Sequence, residues 1–132
     1  MFVDASAIVA ILAEEPGYVT LRDRLEGVAT PLTSGLAVFE ATLALSRLRS
    51  VSVSVAEAAV VSFLNEAGIA LVPITVTETI IALTAHARFG KGRHPARLNL
   101  GDCFAYACAK AHGARLLFVG DDFPQTDIAP AL

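Results

Sequence analysis

Carboxylates break into the apolar stretches of this sequence at four places. Asp4 stands in MFVDASAIVAIL, Glu40 in LAVFEATLAL, Asp102 in LNLGDCFAYACA, and Asp121 with Asp122 in LLFVGDDF. An ionised carboxylate in hydrophobic surroundings is costly unless a cation or several hydrogen bonds compensate it. One such acid is explained by a helix cap. Four, spread from one end of the chain to the other, imply a shared counter-ion. Ligation by oxygen alone points to a hard divalent ion such as Mg²⁺ or Mn²⁺.

Each acid also has a plainer reading. Asp4 lies where a first strand hands over to a helix, a position that opens into the ligand crevice of a parallel α/β sheet. It is equally a preferred N-cap residue, with Ser6 ready to cap or to donate to it. Glu40 has only Leu36, Ala37, Leu43 and Ala44 as helical neighbours, and Arg47 is two turns away. A purely structural role would therefore need a distant Arg or Lys. Asp102 opens a helix of small residues, with Gly101 before it permitting a tight approach, and capping is its alternative role. Asp121 and Asp122 follow an apolar strand, repeating the placement of Asp4; adjacent carboxylates repel, so one faces a site and the other solvent or an amide. Asp127, near the end of the chain, reads as a turn residue. With one or two Mg²⁺ ions, such a pocket could orient and deprotonate a water and stabilise an in-line phosphodiester displacement. The chain carries no Gly-rich phosphate cradle, no G-x-S-x-G elbow and no Cys–His signature.

The elements that must bring these acids together alternate between extended and helical patterns, which favours an α/β fold with a mostly parallel sheet. Met1–Val3 predicts a short strand and Ser6–Ala13 a helix stopped by Glu15-Pro16-Gly17. Tyr18–Leu25 predicts a second helix, Thr30–Thr33 a strand edge and Leu36–Leu48 a long helix. The alternating Ser and Val of 51–55 suit a strand, but Ser54 could cap a helix, and the spacing of Ala56, Val60, Phe63 and Leu64 favours a helix over Val55–Ala67. Ile69–Pro73 is the next strand, and Thr77 caps a helix to Phe89 with Glu78 in its first turn. Asp102–His112 is a helix ended by Gly113, Leu116–Val119 a strand, and the tail is irregular with a short strand near Ile128.

At 132 residues, with neither repeat nor linker, the expectation is one domain over 1–132 with a core that needs no staples. The composition is 55% hydrophobic, so a partner is expected to cover part of the surface, with the helices Ile8–Ala13 through Leu36–Leu48 offering the apolar area. No run resembles a membrane span, and an acid at position 4 does not suit a signal peptide. Cys103 and Cys108 lie five apart on one predicted helix and face different sides, which makes them small core residues rather than a disulfide. These features point to the cytoplasm. The formal net charge of −3 means that any nucleic-acid contact must come from a local basic patch.

The ordered motifs V-D-A-S-A-I-V-A-I-L, F-E-A-T-L-A-L, L-N-L-G-D-C-F-A-Y-A and L-L-F-V-G-D-D-F-x-x-T-D-I span nearly the whole chain. Together they resemble the PIN-domain family, and specifically its VapC-type toxin ribonucleases. The resemblance implies a PIN-like three-layer αβα fold with a parallel sheet flanked by helices. It implies Mg²⁺- or Mn²⁺-dependent endoribonuclease activity, inhibition by a cognate VapB-type antitoxin, and homodimers that assemble with antitoxin into larger complexes. By the same resemblance Asp4, Glu40 and Asp102 match the family's core acids, with Asp121 or Asp122 as the fourth. Asp4 and Asp102 are then the first metal ligands, Glu40 acts through water or holds a second ion, and Ser6 supports Asp4.

An RNA backbone entering an acidic site needs nearby cations, and Lys91, Arg93, His94 and Arg97 crowd the loop before Asp102. The same loop could be solvated or pair with antitoxin acids. Two competing functions are a non-cleaving PIN-like module that binds RNA or a partner, and a Mg²⁺ phosphatase or receiver domain. Retained acids at all four places weigh against the first. Against the second, Asp4 is followed by Ala5-Ser6 rather than by the D-x-D of a haloacid dehalogenase phosphatase.

Overall fold

The computed structural model of the protein describes residues 1–132. Its elements in chain order are β1 (Phe2–Val3), α1 (Ala5–Leu12), α2 (Tyr18–Glu26), β2 (Leu32–Ser34), α3 (Gly35–Arg49), α4 (Val53–Ala67), β3 (Ala70–Val72), α5 (Val76–Phe89), α6 (Leu100–Ala111) and β4 (Leu116–Leu117), followed by a 3₁₀ turn at Phe123–Gln125. The four strands form one wholly parallel sheet in the order β3-β2-β1-β4. In the tail, the strand expected near Ile128 shrinks to a single parallel bridge from Pro130 to Leu116.

Strand alternation divides the interior in two. Phe2 and Leu116 point into a core built with α5 and α6, while Val3 and Leu117 point into a core built with α1 to α4. Helices thus cover both faces, as the apolar strands require. All four strand residues are fully buried, and each such side chain contributes about 1.5–3 kcal/mol by leaving water.

Three local expectations shift, each for a capping reason. The cap of α5 is Thr75, not Thr77, because Glu78 then falls at the third helical position, where its carboxylate accepts from the Thr75 backbone N–H at 2.9 Å. The cap of α4 is Ser52, whose hydroxyl accepts from Val55 N–H at 3.2 Å, so the helix begins two residues before Val55. Helix α6 starts at Leu100 with Asn99 as its cap, leaving Asp102 inside the first turn rather than at the boundary. Of the early helices expected to offer apolar surface, α1 does not. Ile8, Val9, Ala10 and Ile11 are buried because α1 packs against α2, α3 and α4. Helices α2 (Val19) and α3 (Phe39, Leu48) do expose large apolar residues, and further ones lie on α4 (Val53, Val55, Val61), α5 (Val76, Ile80, Leu83) and the start of α6 (Leu100). No helix is long and apolar enough to cross a membrane.

Candidate active site

The strand order reverses at β1: the chain runs outward through β2 and β3, then returns to place β4 on the other side of β1. In open α/β sheets the crevice at the carboxyl ends of strands flanking such a reversal is where ligands bind. Asp4 follows β1 directly and caps α1; its Oδ2 accepts from the Ser6 backbone N–H at 3.0 Å and from the Ser6 hydroxyl at 2.5 Å. Ser6 Oγ also accepts from the Val119 N–H at 3.0 Å, tying the end of β1 to the end of β4. The capping and site readings of Asp4 therefore coexist in one geometry.

Asp4, Glu40 and Asp102 line a single cleft of about 480 Å³. Asp102 takes part in a capping box: its Oδ2 accepts from Asn99 N–H at 3.0 Å, and Asn99 Oδ1 accepts from Asp102 N–H at 2.9 Å. Glu40 reaches across from α3 to the start of α6. A Cβ at position 101 would stand 2.0 Å from Glu40 Oε2 and 2.4 Å from Oε1, so only glycine at 101 leaves room for this carboxylate. Glu40 takes part in none of the chain's side-chain hydrogen bonds, and the four ion pairs of the chain involve none of these three acids.

The electrostatics follow from that isolation. Burial, then the charges of Asp4 and Asp102, push the Glu40 carboxyl up to about 7. Asp102 is pushed up to about 6 by burial, with repulsion from Asp4 and Asp122 adding to it and the Asn99 hydrogen bond opposing. Burial raises Asp4 as well, against the pull of its Ser6 hydrogen bonds. Like charges held together in this way are relieved by a cation or by a proton. The acids do not stand close enough together to form a ready ligand cage of three or more. An all-carboxylate donor set with no ion-pairing partner nonetheless suits a hard dication.

Asp121 and Asp122 are exposed and do not line the cleft. Of the two, Asp122 acts electrostatically on Asp102, while the Asp121 backbone carbonyl accepts from Gln125 Nε2 at 3.2 Å. The basic loop sits apart from the acids. None of Lys91, Arg93, His94 and Arg97 lines the cleft; Lys91 borders an apolar hollow between α5 and α6. His94 Nδ1 accepts from Ala96 N–H at 3.0 Å, and its ring meets Phe89 edge-on at 5.2 Å, which makes it part of the loop's scaffold. The cation that does line the cleft is Arg47, joined there by Phe39, Glu15 and Asn99. Sequence reasoning passed over these four, although Glu40, Leu43, Ala44 and Arg47 already share one helical stripe.

Comparison with known proteins agrees with this architecture. The PIN domain family model matches residues 1–129. A VapC ribonuclease of Rhizobium meliloti (strain 1021) is 45% identical, covering 96% of this chain and 98% of that protein. Ribonuclease VapC42 of Mycobacterium tuberculosis (strain ATCC 25618 / H37Rv) is 39% identical over 99% of this chain and 98% of its own length. The crystal structure of Mycobacterium tuberculosis VapC20, described as a sarcin-ricin loop cleaving toxin, superposes with a TM-score of 0.75 at 18% identity, covering 97% of this chain and 95% of that one, a likeness of fold. The chain belongs to the PIN domain family and, within it, to the VapC-type ribonucleases.

Proposed function

We propose that the protein is a metal-dependent endoribonuclease, the toxin half of a VapB–VapC pair. One observation carries the reading: three carboxylates from three distant segments line one cleft, and none of them is paired with a basic side chain. Asp4 and Asp102 are the residues that would hold Mg²⁺ or Mn²⁺, with Glu40 reaching an ion through water or holding a second one, and Asp122 as the outlying fourth acid. A bound dication would lower the pKa of a water and offset charge developing on the phosphodiester. The chain's own part is positional. Ser6 and Asn99 fix the orientation of Asp4 and Asp102, and Gly101 admits Glu40 to the same cleft. The identity to VapC ribonucleases supports RNA as substrate and a VapB-type antitoxin as inhibitor. Homodimers and larger toxin–antitoxin assemblies belong to the same reading.

The test compares RNA cleavage by wild type, Asp4→Asn and Asp102→Asn at matched folding, with Mg²⁺ or Mn²⁺ and with a chelator. Both substitutions and chelation should abolish cutting, and the wild-type products should carry 5′-phosphate and 3′-hydroxyl ends. A 2′,3′-cyclic phosphate product, or cleavage undiminished by chelator, would refute the mechanism.

A further inference from the structure

Phe39 is 61% exposed, whereas the other six Phe and both Tyr of the chain are buried or half-buried. Its neighbour in sequence is Glu40, and its ring lines the acidic cleft. On its other side it borders a shallow groove of about 310 Å³ between α3 and α4. The ring joins none of the aromatic pairs, which involve Phe89, His94, Tyr106, Phe118 and Phe123. A bare aromatic surface contributes nothing to the core, so its location beside the reactive acids calls for a ligand with a π face.

Arg47 lies eight residues further along the same helix, about 12 Å away along its axis. It is exposed, is the only basic residue lining the cleft, and makes no ion pair. Between Phe39 and Arg47 the wall is Leu43 and Ala44, apolar and without competing hydrogen-bond groups. The helix therefore presents, in order, an aromatic platform, a carboxylate, a smooth floor and a guanidinium.

We propose that this face of α3 reads single-stranded RNA: Phe39 stacks on an unpaired base beside the scissile phosphate, and Arg47 holds a flanking phosphate. Stacking needs a base whose face is free, which a duplex does not offer, so the substrate class is an unpaired stretch such as a loop. Aromatic stacking tolerates any base because each has a π face, whereas a guanidinium grips phosphate oxygens in a bidentate fork. Sequence preference would then arise elsewhere in the cleft. The inference rests on the ribonuclease reading for the identity of the ligand, while its binding chemistry is testable without cleavage.

The experiment measures binding of a short fluorescent RNA of randomised sequence, single-stranded and annealed to its complements, with Mg²⁺ present in a Glu40→Gln background that prevents cutting. Phe39→Ala and Phe39→Leu should weaken single-strand binding about 5- to 100-fold, Phe39→Tyr should hold it within about twofold, and duplex binding should not respond. Arg47→Ala should weaken binding and flatten its salt dependence by about one phosphate contact; Arg47→Lys should restore the salt slope but only part of the affinity. Wild-type affinity in Phe39→Leu would overturn the stacking role. Loss of antitoxin binding in Phe39→Ala with RNA binding unchanged would also overturn it, identifying a protein-docking residue instead. If wild type binds single strands through Phe39 yet cuts no RNA with any divalent metal, this inference stands and the nuclease reading fails.

Discussion

Glu40→Gln should make the metal-free protein more stable at alkaline pH. The carboxyl has no hydrogen-bonding or ion-pairing side chain to lose, so the substitution removes charge and little else. Its proton is held to about pH 7 in the folded chain against 4.5 as the ordinary value. At about 1.4 kcal/mol per tenfold change in proton affinity this difference corresponds to roughly 3 kcal/mol, which water around the half-exposed group reduces to about 1–2 kcal/mol. The sign follows from linkage. The folded state binds this proton more tightly than the unfolded chain, so wild-type stability falls as pH rises from about 4.5 to about 7 and stays low above it. Gln cannot ionise, and that fall disappears. Urea unfolding in chelator should therefore show the variant level with wild type near pH 4 and about 1–2 kcal/mol more stable at pH 8, about 4–8 °C in Tm for a chain of this size. Added Mg²⁺ should narrow the gap by stabilising wild type more. A variant no more stable than wild type at pH 8 would refute the claim that the three acids repel one another in a desolvated cleft.

Three further perturbations separate holding from chemistry. Gly101→Ala places a methyl where Glu40 sits, 2.0 Å from Oε2; the flexible side chain swings away, so cleavage should fall at least tenfold while the roughly 1 kcal/mol gained in helix propensity keeps Tm level or higher. Asp102→Asn keeps an oxygen able to accept from Asn99 N–H while removing charge, so metal-free Tm at pH 8 should rise; a clear drop would assign Asp102 to capping alone. Ser6→Ala deletes the hydroxyl's bonds to Asp4 and to Val119 N–H while the backbone N–H bond to Asp4 stays, and calorimetry should show about 1–3 kcal/mol lost, with weakened Mg²⁺ affinity as the second readout.

The legible part of this molecule lay in mismatches between residue and context. Glu40 is an acid among Leu and Ala, and nothing local explains it, which is why it pointed to tertiary convergence before any coordinates. The strands were legible because Phe2-Val3 and Leu116-Leu117 are apolar at both parities, as burial on two faces requires. Capping boundaries were written in the sequence too: Thr75-x-x-Glu78 and Asn99-x-x-Asp102 carry the reciprocal spacing, whereas Thr77 has no matching acid three residues on. What could not be read was rotation. Which stripe of α3 faces the cleft depends on how that helix packs on α1 and α4, so nothing in the sequence singled out Phe39 or Arg47. The placement of the basic loop was hidden for the converse reason. Proximity in sequence to Asp102 said nothing about direction, and the bridge between Gly90 and Leu98 folds the loop onto α5 and away from the acids.

The three acids are each held in place by a group that carries no charge. A hydroxyl and an amide N–H fix Asp4, the Asn99 backbone fixes Asp102, and a missing side chain at 101 makes space for Glu40. Arg47 lines the same cleft but pairs with none of them; an arginine that did pair would have stabilised the fold. It would also have cancelled the field and occupied the space that a dication needs. A chain whose whole stability is on the order of 5–15 kcal/mol gives up a few of those to leave the cleft un-neutralised. Under the metal-dependent reading that deficit is temporary, because binding to the folded state alone returns it as stability. The extent of stabilisation by Mg²⁺ should therefore track the number of acids left intact, declining stepwise from wild type to single and then double Asn or Gln variants.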